Sequence, residues 1–331
     1  MHTTLTAADP VATAARLGLQ TPQKSLPPWL FYDEHGSHLF EQITTLPEYY
    51  LTRTERTLLH AHIDEILNHI VTAVTVVELG AGTATKTGIV LRAAAANQDK
   101  VLYQPIDISP SALAEACADI EANLPGVAVH PQVANYITDP IHILREPDRS
   151  VLALYIGSSI GNFSPAEAVG ILTNLRSQLR PGDHLLLGTD LAPGTSESSP
   201  TKSVQSLLAA YDDARGITAA FNKNILTRIN RDLATDFNSE NFAHRARWNA
   251  LDSRIEMHLE SLTSQHVTVP ADAFGSAFTL AFIPGETIHT ENSYKFTPQT
   301  IEGLLTPSGF STAQTFHDSG HFYALTLAEA I

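Results

Sequence analysis

The sequence predicts an α/β chain, with a doubly wound, mostly parallel sheet and a second, α+β part. Three observations carry this. The stretch Val74-Thr-Val-Val-Glu-Leu-Gly-Ala-Gly-Thr-Ala-Thr-Lys-Thr87 is a β-branched run feeding a glycine turn that opens a helix. From there strand and helix periods alternate to about position 190, the βαβ rhythm of parallel strands covered by helices. The rhythm then stops at Pro193-Gly-Thr-Ser-Glu-Ser-Ser-Pro200, whose composition is that of a linker or surface loop, and longer strand-like runs follow.

Ahead of the glycine turn, Lys24 to Phe40 is rich in proline and aromatic residues. Pro27 and Pro28 enforce an extended approach, and Asp33-Glu-His-Gly36 is expected to turn. Trp29, Phe31, Tyr32 and Phe40 are then held on a short, rigid scaffold suited to a lid. Thr52 or Thr54 is expected to cap a helix with apolar positions Leu58, Leu59, Ile63, Ile66 and Leu67. After the first strand come Val101 to Asp107, Val127 to Val133, Val151 to Ile156 and His184 to Gly188. The fourth of these five strands is almost wholly apolar, as a central parallel strand must be. Ser109-Pro110 and Ser164-Pro165 each read as a cap followed by proline in the first helical turn. Beyond the linker, helices are predicted over 203–213 and 217–231, and strands over Arg254 to Val269 and Gly285 to Ser293. A helix over 299–305 precedes a hairpin of Phe310 to Phe316 and Phe322 to Ala328, which returns the chain end to the first sheet.

Composition removes several function classes. The chain has 331 residues with 35 Asp and Glu against 20 Lys and Arg, a formal charge of -15, which opposes binding to phosphate backbones. No apolar run reaches membrane-spanning length, and the first ten residues lack the basic start and apolar core of a signal peptide, so a cytoplasmic protein with neither nucleic-acid nor membrane partner is expected. The single cysteine, Cys117, lies in an alanine-rich helical stretch and is expected to be a buried, inert thiol. The fifteen histidines show no metal-ligand spacing, so the metal expectation is none.

The glycine turn narrows the cofactor. Gly80 and Gly82 let the backbone turn sharply and approach a ligand, but Thr85 stands where a dinucleotide fingerprint wants a third glycine. Glu78 within the approach and Asp107 at the end of the next strand suit a cofactor with a sulfonium and a ribose but no phosphate, and S-adenosyl-L-methionine is such a cofactor. Gly157-Ser-Ser-Ile-Gly161 matches the nucleophile-elbow pattern of hydrolases, yet its long helix starts only at Ser164-Pro165, several residues too late to expose a strained serine. The turn instead offers backbone N–H groups and the Asn162 amide at the carboxyl end of the fourth strand. Glu291 and Ser293, two apart on a strand end, face one side and suit a polar heteroaromatic ring.

The chain resembles the histidine Nα-methyltransferases of ergothioneine biosynthesis over nearly its whole length. Lys24-Ser-Leu-Pro-Pro, Leu46-Pro-Glu-Tyr-Tyr, Thr52-Arg-Thr-Glu55, Glu78-Leu-Gly-Ala-Gly-Thr, Gly157-Ser-Ser-Ile-Gly-Asn162, Leu187-Gly-Thr-Asp-Leu191, Ala210-Tyr-Asp-Asp213, Thr218-Ala-Ala-Phe-Asn222, Arg254-Ile-Glu-Met257 and Glu291-Asn-Ser-Tyr-Lys-Phe296 carry the likeness. It implies a class I SAM-dependent methyltransferase (Rossmann-like) sheet with a second, α+β substrate-binding domain. It further implies three methyl transfers to the α-amino group of L-histidine, giving hercynine and S-adenosyl-L-homocysteine. By this likeness Asn162 and Tyr211 hold the carboxylate and amino end, Tyr32 and Gly157 lie near the amine, Tyr49, Glu291 and Ser293 read the imidazole, and Met257 lines the ring. Glu78, Gly80, Gly82, Lys86, Asp107, Asn135 and Tyr136 are the expected cofactor residues. Asn135 stands where the family carries an aspartate near the adenine, and its carbonyl is expected to accept from the adenine amino group. The expected domains are 1–57 with 193–295 for histidine, and 58–192 with 296–331 for the cofactor, in a monomer. A methyltransferase for tryptophan or tyrosine and a catalytically idle SAM-binding protein are the rival readings.

Overall fold

The computed structural model describes residues 9–82, 84–137, 139–194, 202–271 and 275–331. The first eight residues and positions 195–200 of the linker therefore lie outside the described residues. In chain order the helices are α1 (Pro10–Leu19), α2 (Glu34–Thr44), α3 (Tyr50–His69), α4 (Thr87–Asn97), α5 (Pro110–Asn123), α6 (Pro165–Gln178), α7 (Val204–Tyr211), α8 (Ile217–Leu233) and α9 (Pro298–Leu305). The strands are β1 (Ala73–Leu79), β2 (Val101–Asp107), β3 (Val127–Val129), β4 (Gln132–Val133), β5 (Arg149–Tyr155), β6 (His184–Asp190), β7 (Phe242–Asn249), β8 (Arg254–Ser261), β9 (Gln265–Val269), β10 (Phe278–Phe282), β11 (Thr287–Tyr294), β12 (Phe310–His317) and β13 (Tyr323–Ala330).

The chain divides into two compact units, Met1–Tyr49 with Val204–Asn292, and Tyr50–Ser203 with Ser293–Ile331. The crossings therefore fall at 49/50, 203/204 and 292/293, which lie 8, 11 and 3 residues from the expected 57/58, 192/193 and 295/296. A crossing at 57 would cut α3, which runs unbroken from Tyr50.

The larger unit is built on an eight-stranded sheet in the order β12-β13-β6-β5-β1-β2-β3, with β4 also on β2. β1 pairs in parallel with β2 and β5, β5 with β6, and β2 with β3 and β4. The hairpin joins with β13 antiparallel to both β6 and β12. This is the predicted doubly wound sheet, with β13 as its one reversed strand among the described residues. Burial explains the strand compositions: from Val74 to Leu79, from Val151 to Tyr155 and along all of β6 every residue is buried. The caps act as the sequence indicates. The Ser109 hydroxyl accepts from the Ala112 N–H, and Ser164 forms a reciprocal capping box with Glu167, each preceding a first-turn proline. Cys117 is buried on α5.

The smaller unit contains a three-stranded sheet, β11-β8-β7, and a two-stranded ribbon, β9-β10. α8 packs on α2 and on the 3-10 turn Pro28–Phe31.

Several local expectations are corrected. Asp33 to Gly36 does not end in a turn: the Asp33 carboxylate accepts from the Gly36 N–H and caps α2. Neither Thr52 nor Thr54 is a cap, because α3 begins at Tyr50 and the Thr54 hydroxyl donates back to the Tyr50 carbonyl at 3.0 Å. The strand over 127–133 is split into β3 and β4 around Pro131, which has no N–H for the ladder. The run from Arg254 to Val269 is two strands of different sheets, turned where the Ser261 hydroxyl donates to the Thr263 carbonyl and accepts from Gln265. α1, α2, β7 and β10 were not foreseen.

Candidate functional site

In the larger unit the predicted residues gather at the carboxyl ends of β1, β2, β5 and β6. The turn after β1 has Gly80 at φ +69° and Gly82 at φ +50°, the left-handed region where a side chain is strained. A Cβ on Gly82 would meet nothing within 4 Å, so this backbone faces open space, whereas one on Gly80 would touch the Tyr136 hydroxyl at 3.4 Å. Tyr136 packs edge-on against Tyr155 with ring centroids 5.8 Å apart, and burial raises its phenol to about 12. Asp107 ends β2 beside this turn. Its two oxygens accept from the Gly82 N–H at 3.1 Å and the Ser109 N–H at 2.9 Å, which fixes a half-buried carboxylate with further acceptor capacity.

Glu78 is placed differently from expectation. Its carboxylate is buried and accepts from the Thr87 hydroxyl at 2.7 and 2.8 Å and from the Tyr103 hydroxyl, so it braces the turn from beneath. Burial pushes it up to about 7 against the lowering pull of those hydroxyls. The Asn135 Oδ1 accepts from the Ile137 N–H at 3.1 Å in a local turn, which leaves it a second lone pair.

After β5, Gly157 has φ +85° and Ser158 φ +58°, followed by a 3-10 turn over Ser159–Asn162. The helix proper waits until Pro165, which removes the nucleophile-elbow geometry. A Cβ on Gly161 would lie 2.8 Å from the Tyr294 carbonyl oxygen, so only glycine lets this turn dock on the end of β11. Asn162 is half-buried, and its side-chain amide makes no hydrogen bond with the described residues. Two networks flank this turn. Glu55, fully buried on α3, accepts from the Gly157 N–H at 2.7 Å and the Tyr323 hydroxyl at 2.6 Å and pairs with the Lys86 ammonium. Asp190, at the end of β6, pairs with both Lys202 and Lys295 and accepts from the Tyr50 hydroxyl at 3.0 Å. Burial alone would raise the Asp190 carboxyl, but the two ammoniums hold it below the ordinary carboxylate value. Burial lowers Lys202 to about 8 against the raising pull of the Asp190 carboxylate. Lys295 in turn donates to the Ser293 hydroxyl at 2.8 Å.

In the smaller unit the predicted tyrosines belong to one aromatic cluster. Tyr32 meets Phe40 and Phe221 edge-on, Tyr49 meets Phe40 and Tyr211 edge-on, and Phe40 contacts Phe221, all with centroids 5.6–6.3 Å apart. Tyr211 closes α7, and its carbonyl accepts from His244 Nε2 at 2.7 Å. His244 Nδ1 in turn accepts from Asn222, which assigns the neutral ring, and burial lowers this histidine's pKa. Asn222 also accepts from Thr290 of β11 at 2.8 Å, and Thr290 bonds the Met257 carbonyl of β8. Met257 and Glu291 are thus buried on neighbouring strands.

The residues fit S-adenosyl-L-methionine by their donor set. The exposed face of the glycine turn admits close approach, Asp107 offers acceptors to ribose hydroxyls, and the Tyr136 ring provides an apolar wall at the same turn. Sequence reasoning missed Glu55, Tyr50, Asp190, Lys202, Lys295 and Tyr323. Glu55, Tyr50, Asp190 and Lys295 each lie inside a motif that carries the resemblance, whereas Lys202 and Tyr323 lie in none.

Comparison with known proteins agrees with this arrangement. Residues 11–330 match the family described as "Histidine-specific methyltransferase, SAM-dependent". A histidine N-alpha-methyltransferase of Mycolicibacterium smegmatis is 40% identical over 325 residues, covering 97% of this chain and 95% of that protein. Its counterpart in Mycobacterium tuberculosis is 40% identical over 311 residues, covering 94% and 92%. Ergothioneine biosynthesis protein 1 of Schizosaccharomyces pombe is 29% identical over 306 residues, covering 89% of this chain and 37% of that protein. With a class I, Rossmann-like sheet, a glycine turn built for close ligand approach and a match along nearly all of its length, the chain belongs to the histidine-specific, SAM-dependent methyltransferase family.

Proposed function

We infer that this protein transfers three methyl groups in turn from S-adenosyl-L-methionine to the α-amino group of L-histidine, giving hercynine as the first step of ergothioneine biosynthesis. The histidine-specific family match over residues 11–330 carries the reading. We assign the cofactor to the larger unit and histidine recognition to the smaller one together with Asn162 and Ser293. The reading includes a monomeric, cytoplasmic enzyme that uses no metal.

When bound, the cofactor's sulfonium supplies an electrophilic methyl group. Gly80, Gly82 and Lys86 shape its seat, Asp107 holds the ribose, Tyr136 covers the turn, and the Asn135 carbonyl accepts from the adenine amino group with its second lone pair. Glu78 acts as a brace rather than a contact. Asn162, with its amide uncommitted at a strand end, binds the substrate carboxylate together with Tyr211 and so aims the amine. Gly157, held by Glu55 through its N–H, and Tyr32 border the amine. The amine must be neutral at each transfer, and the final product is a permanent cation that the faces of Tyr32, Tyr49 and Phe40 suit. Glu291 accepts from one imidazole N–H, Ser293 serves the other nitrogen, and Met257 lines the ring. A ring that can bond neither polar group forgoes both hydrogen bonds, which favours histidine.

The test is mass spectrometry after incubation with S-adenosyl-L-methionine and an equimolar mixture of amino acids. Histidine alone should gain one, two and three methyl groups. Methylation of tryptophan or tyrosine instead, or of none, overturns the reading.

A further inference from the structure

Glu55 on α3 is a carboxylate for which the larger unit makes room. Its side chain is 1% exposed, and a Cβ on Gly188 of β6 would lie 2.3 Å from Glu55 Oε1 and 2.7 Å from the Tyr323 hydroxyl, so the strand omits a side chain where the acid enters. Oε1 accepts from the Gly157 N–H at 2.7 Å and from the Tyr323 hydroxyl at 2.6 Å, and Oε2 takes the Lys86 ammonium. Folding alone gives little reason for this arrangement, because apolar side chains of similar volume stabilise a core at least as well as a buried ion pair. The pair stands at the cofactor turn. Lys86 directly precedes α4, and a Cβ on Gly157 would lie 3.1 Å from Lys86 Nζ, so the ammonium rests against the end of β5. An ammonium has three donors, and that of Lys86, whose side chain is 21% exposed, makes no hydrogen bond other than that to Glu55 among the described residues. Beneath the same turn Glu78 feels both charges in opposite senses, so the field of each reaches the glycines.

We propose that Glu55 is a positioning residue of the cofactor site: it holds the Lys86 ammonium against Gly157 and cancels its charge, so that the seat does not repel the sulfonium of the methyl donor. The proposal rests on the reading that S-adenosyl-L-methionine binds at the glycine turn of this unit. Donor and product differ at one atom. The donor's sulfonium carries a methyl group and a positive charge, whereas S-adenosyl-L-homocysteine has a neutral thioether there. Contacts that Lys86 makes with the parts the two molecules share bind both alike and do not discriminate. Local charge does. With Glu55 in place, Lys86 adds no net charge to the seat. Without it an unbalanced ammonium faces the sulfonium, and the donor is repelled while the product is not. Repeated transfer makes this discrimination useful, because every round leaves a molecule of product competing for the seat.

The measurement is calorimetry of the full-length protein with S-adenosyl-L-methionine and, separately, with S-adenosyl-L-homocysteine, read as the ratio of the two affinities. Glu55→Gln keeps an acceptor for Gly157 and Tyr323 and removes the charge. It should weaken donor binding about tenfold and product binding about twofold, so the ratio falls about fivefold. Lys86→Met leaves the Glu55 charge unbalanced and should move the ratio the other way, about threefold toward the donor, even as both ligands lose affinity. The double variant should return the ratio to within about twofold of wild type, and Glu55→Asp, which keeps the charge on a shorter stem, should preserve it. Lys86 is partly exposed, so its variant tests the sign even where a Glu55 variant does not fold. Equal losses for both ligands in Glu55→Gln, or a ratio that falls or stays unchanged in Lys86→Met, mark a purely structural role and overturn the proposal. A wild type that binds neither ligand overturns the cofactor reading as well, so the two failures are told apart by wild-type binding.

Discussion

The carboxyl edge of the large sheet and the aromatic cluster of the smaller unit handle charge in opposite ways. At the sheet edge, buried ions meet buried counter-ions: Asp190 with Lys202 and Lys295, and Glu55 with Lys86. In the aromatic cluster, Tyr32, Phe40, Tyr49, Tyr211 and Phe221 meet ring to ring. Ion pairs fix geometry and are expensive to break on one side only, because the abandoned partner stays buried. Ring faces stabilise a cation weakly and without a fixed direction, which suits an amine that grows by one methyl group at a time.

The largest effect should come from breaking the ionic side. Asp190→Asn strands two buried ammoniums and should cost about 3–5 kcal/mol in denaturant unfolding. A loss below about 1 kcal/mol would mean that water reaches the cluster. Next, Asp107→Ala should weaken S-adenosyl-L-methionine binding by about 1.5–3 kcal/mol, as for a hydrogen bond to a charged group. Unchanged affinity in calorimetry would remove Asp107 from the ribose.

Glu78 sharpens the contrast, since it is a buried acid at the same edge whose side-chain partners are hydroxyls rather than a cation in contact. Its pKa is raised from the ordinary 4.5 to about 7, so the folded protein holds a proton that the unfolded chain releases in that window. The stability it contributes is present below about pH 4.5 and is lost as pH rises to about 7. Glu78→Gln should remove that slope, worth about 3 kcal/mol across the window. Parallel stability profiles for variant and wild type between these limits would show that Glu78 is already ionised. The smallest effect belongs to the rings: Tyr49→Leu should weaken hercynine binding by about 0.5–1 kcal/mol and histidine binding by less. Equal losses for both ligands would give Tyr49 a packing role only.

These differences also decide what could be read from the chain alone. The large sheet was legible because its signals are local: β-branched runs, Ser-Pro caps, and a glycine turn at 80–82. The Glu55 network was not, since Tyr323 lies 268 positions from Glu55 and contact at that separation leaves no periodic trace. The same holds for Lys202 and Lys295, which look like ordinary lysines until Asp190 gathers them. The partners of Glu78 were not legible either, because its position in the turn's approach does not reveal that its carboxylate meets the Thr87 and Tyr103 hydroxyls. β7 carries polar residues on its half-exposed face, and its apolar alternation was too thin to see. α1 did carry a local signal, an Asp9-Pro10 cap, in a region read only for targeting features.

The central claim is that the methyl groups go to the α-nitrogen of histidine. Carbon NMR of the product formed from methyl-labelled S-adenosyl-L-methionine and histidine tests it most directly. At full turnover the label should appear as one trimethylammonium signal correlated with the α-proton. A labelled methyl group correlated with the imidazole protons, or no label on histidine at all, would contradict the account.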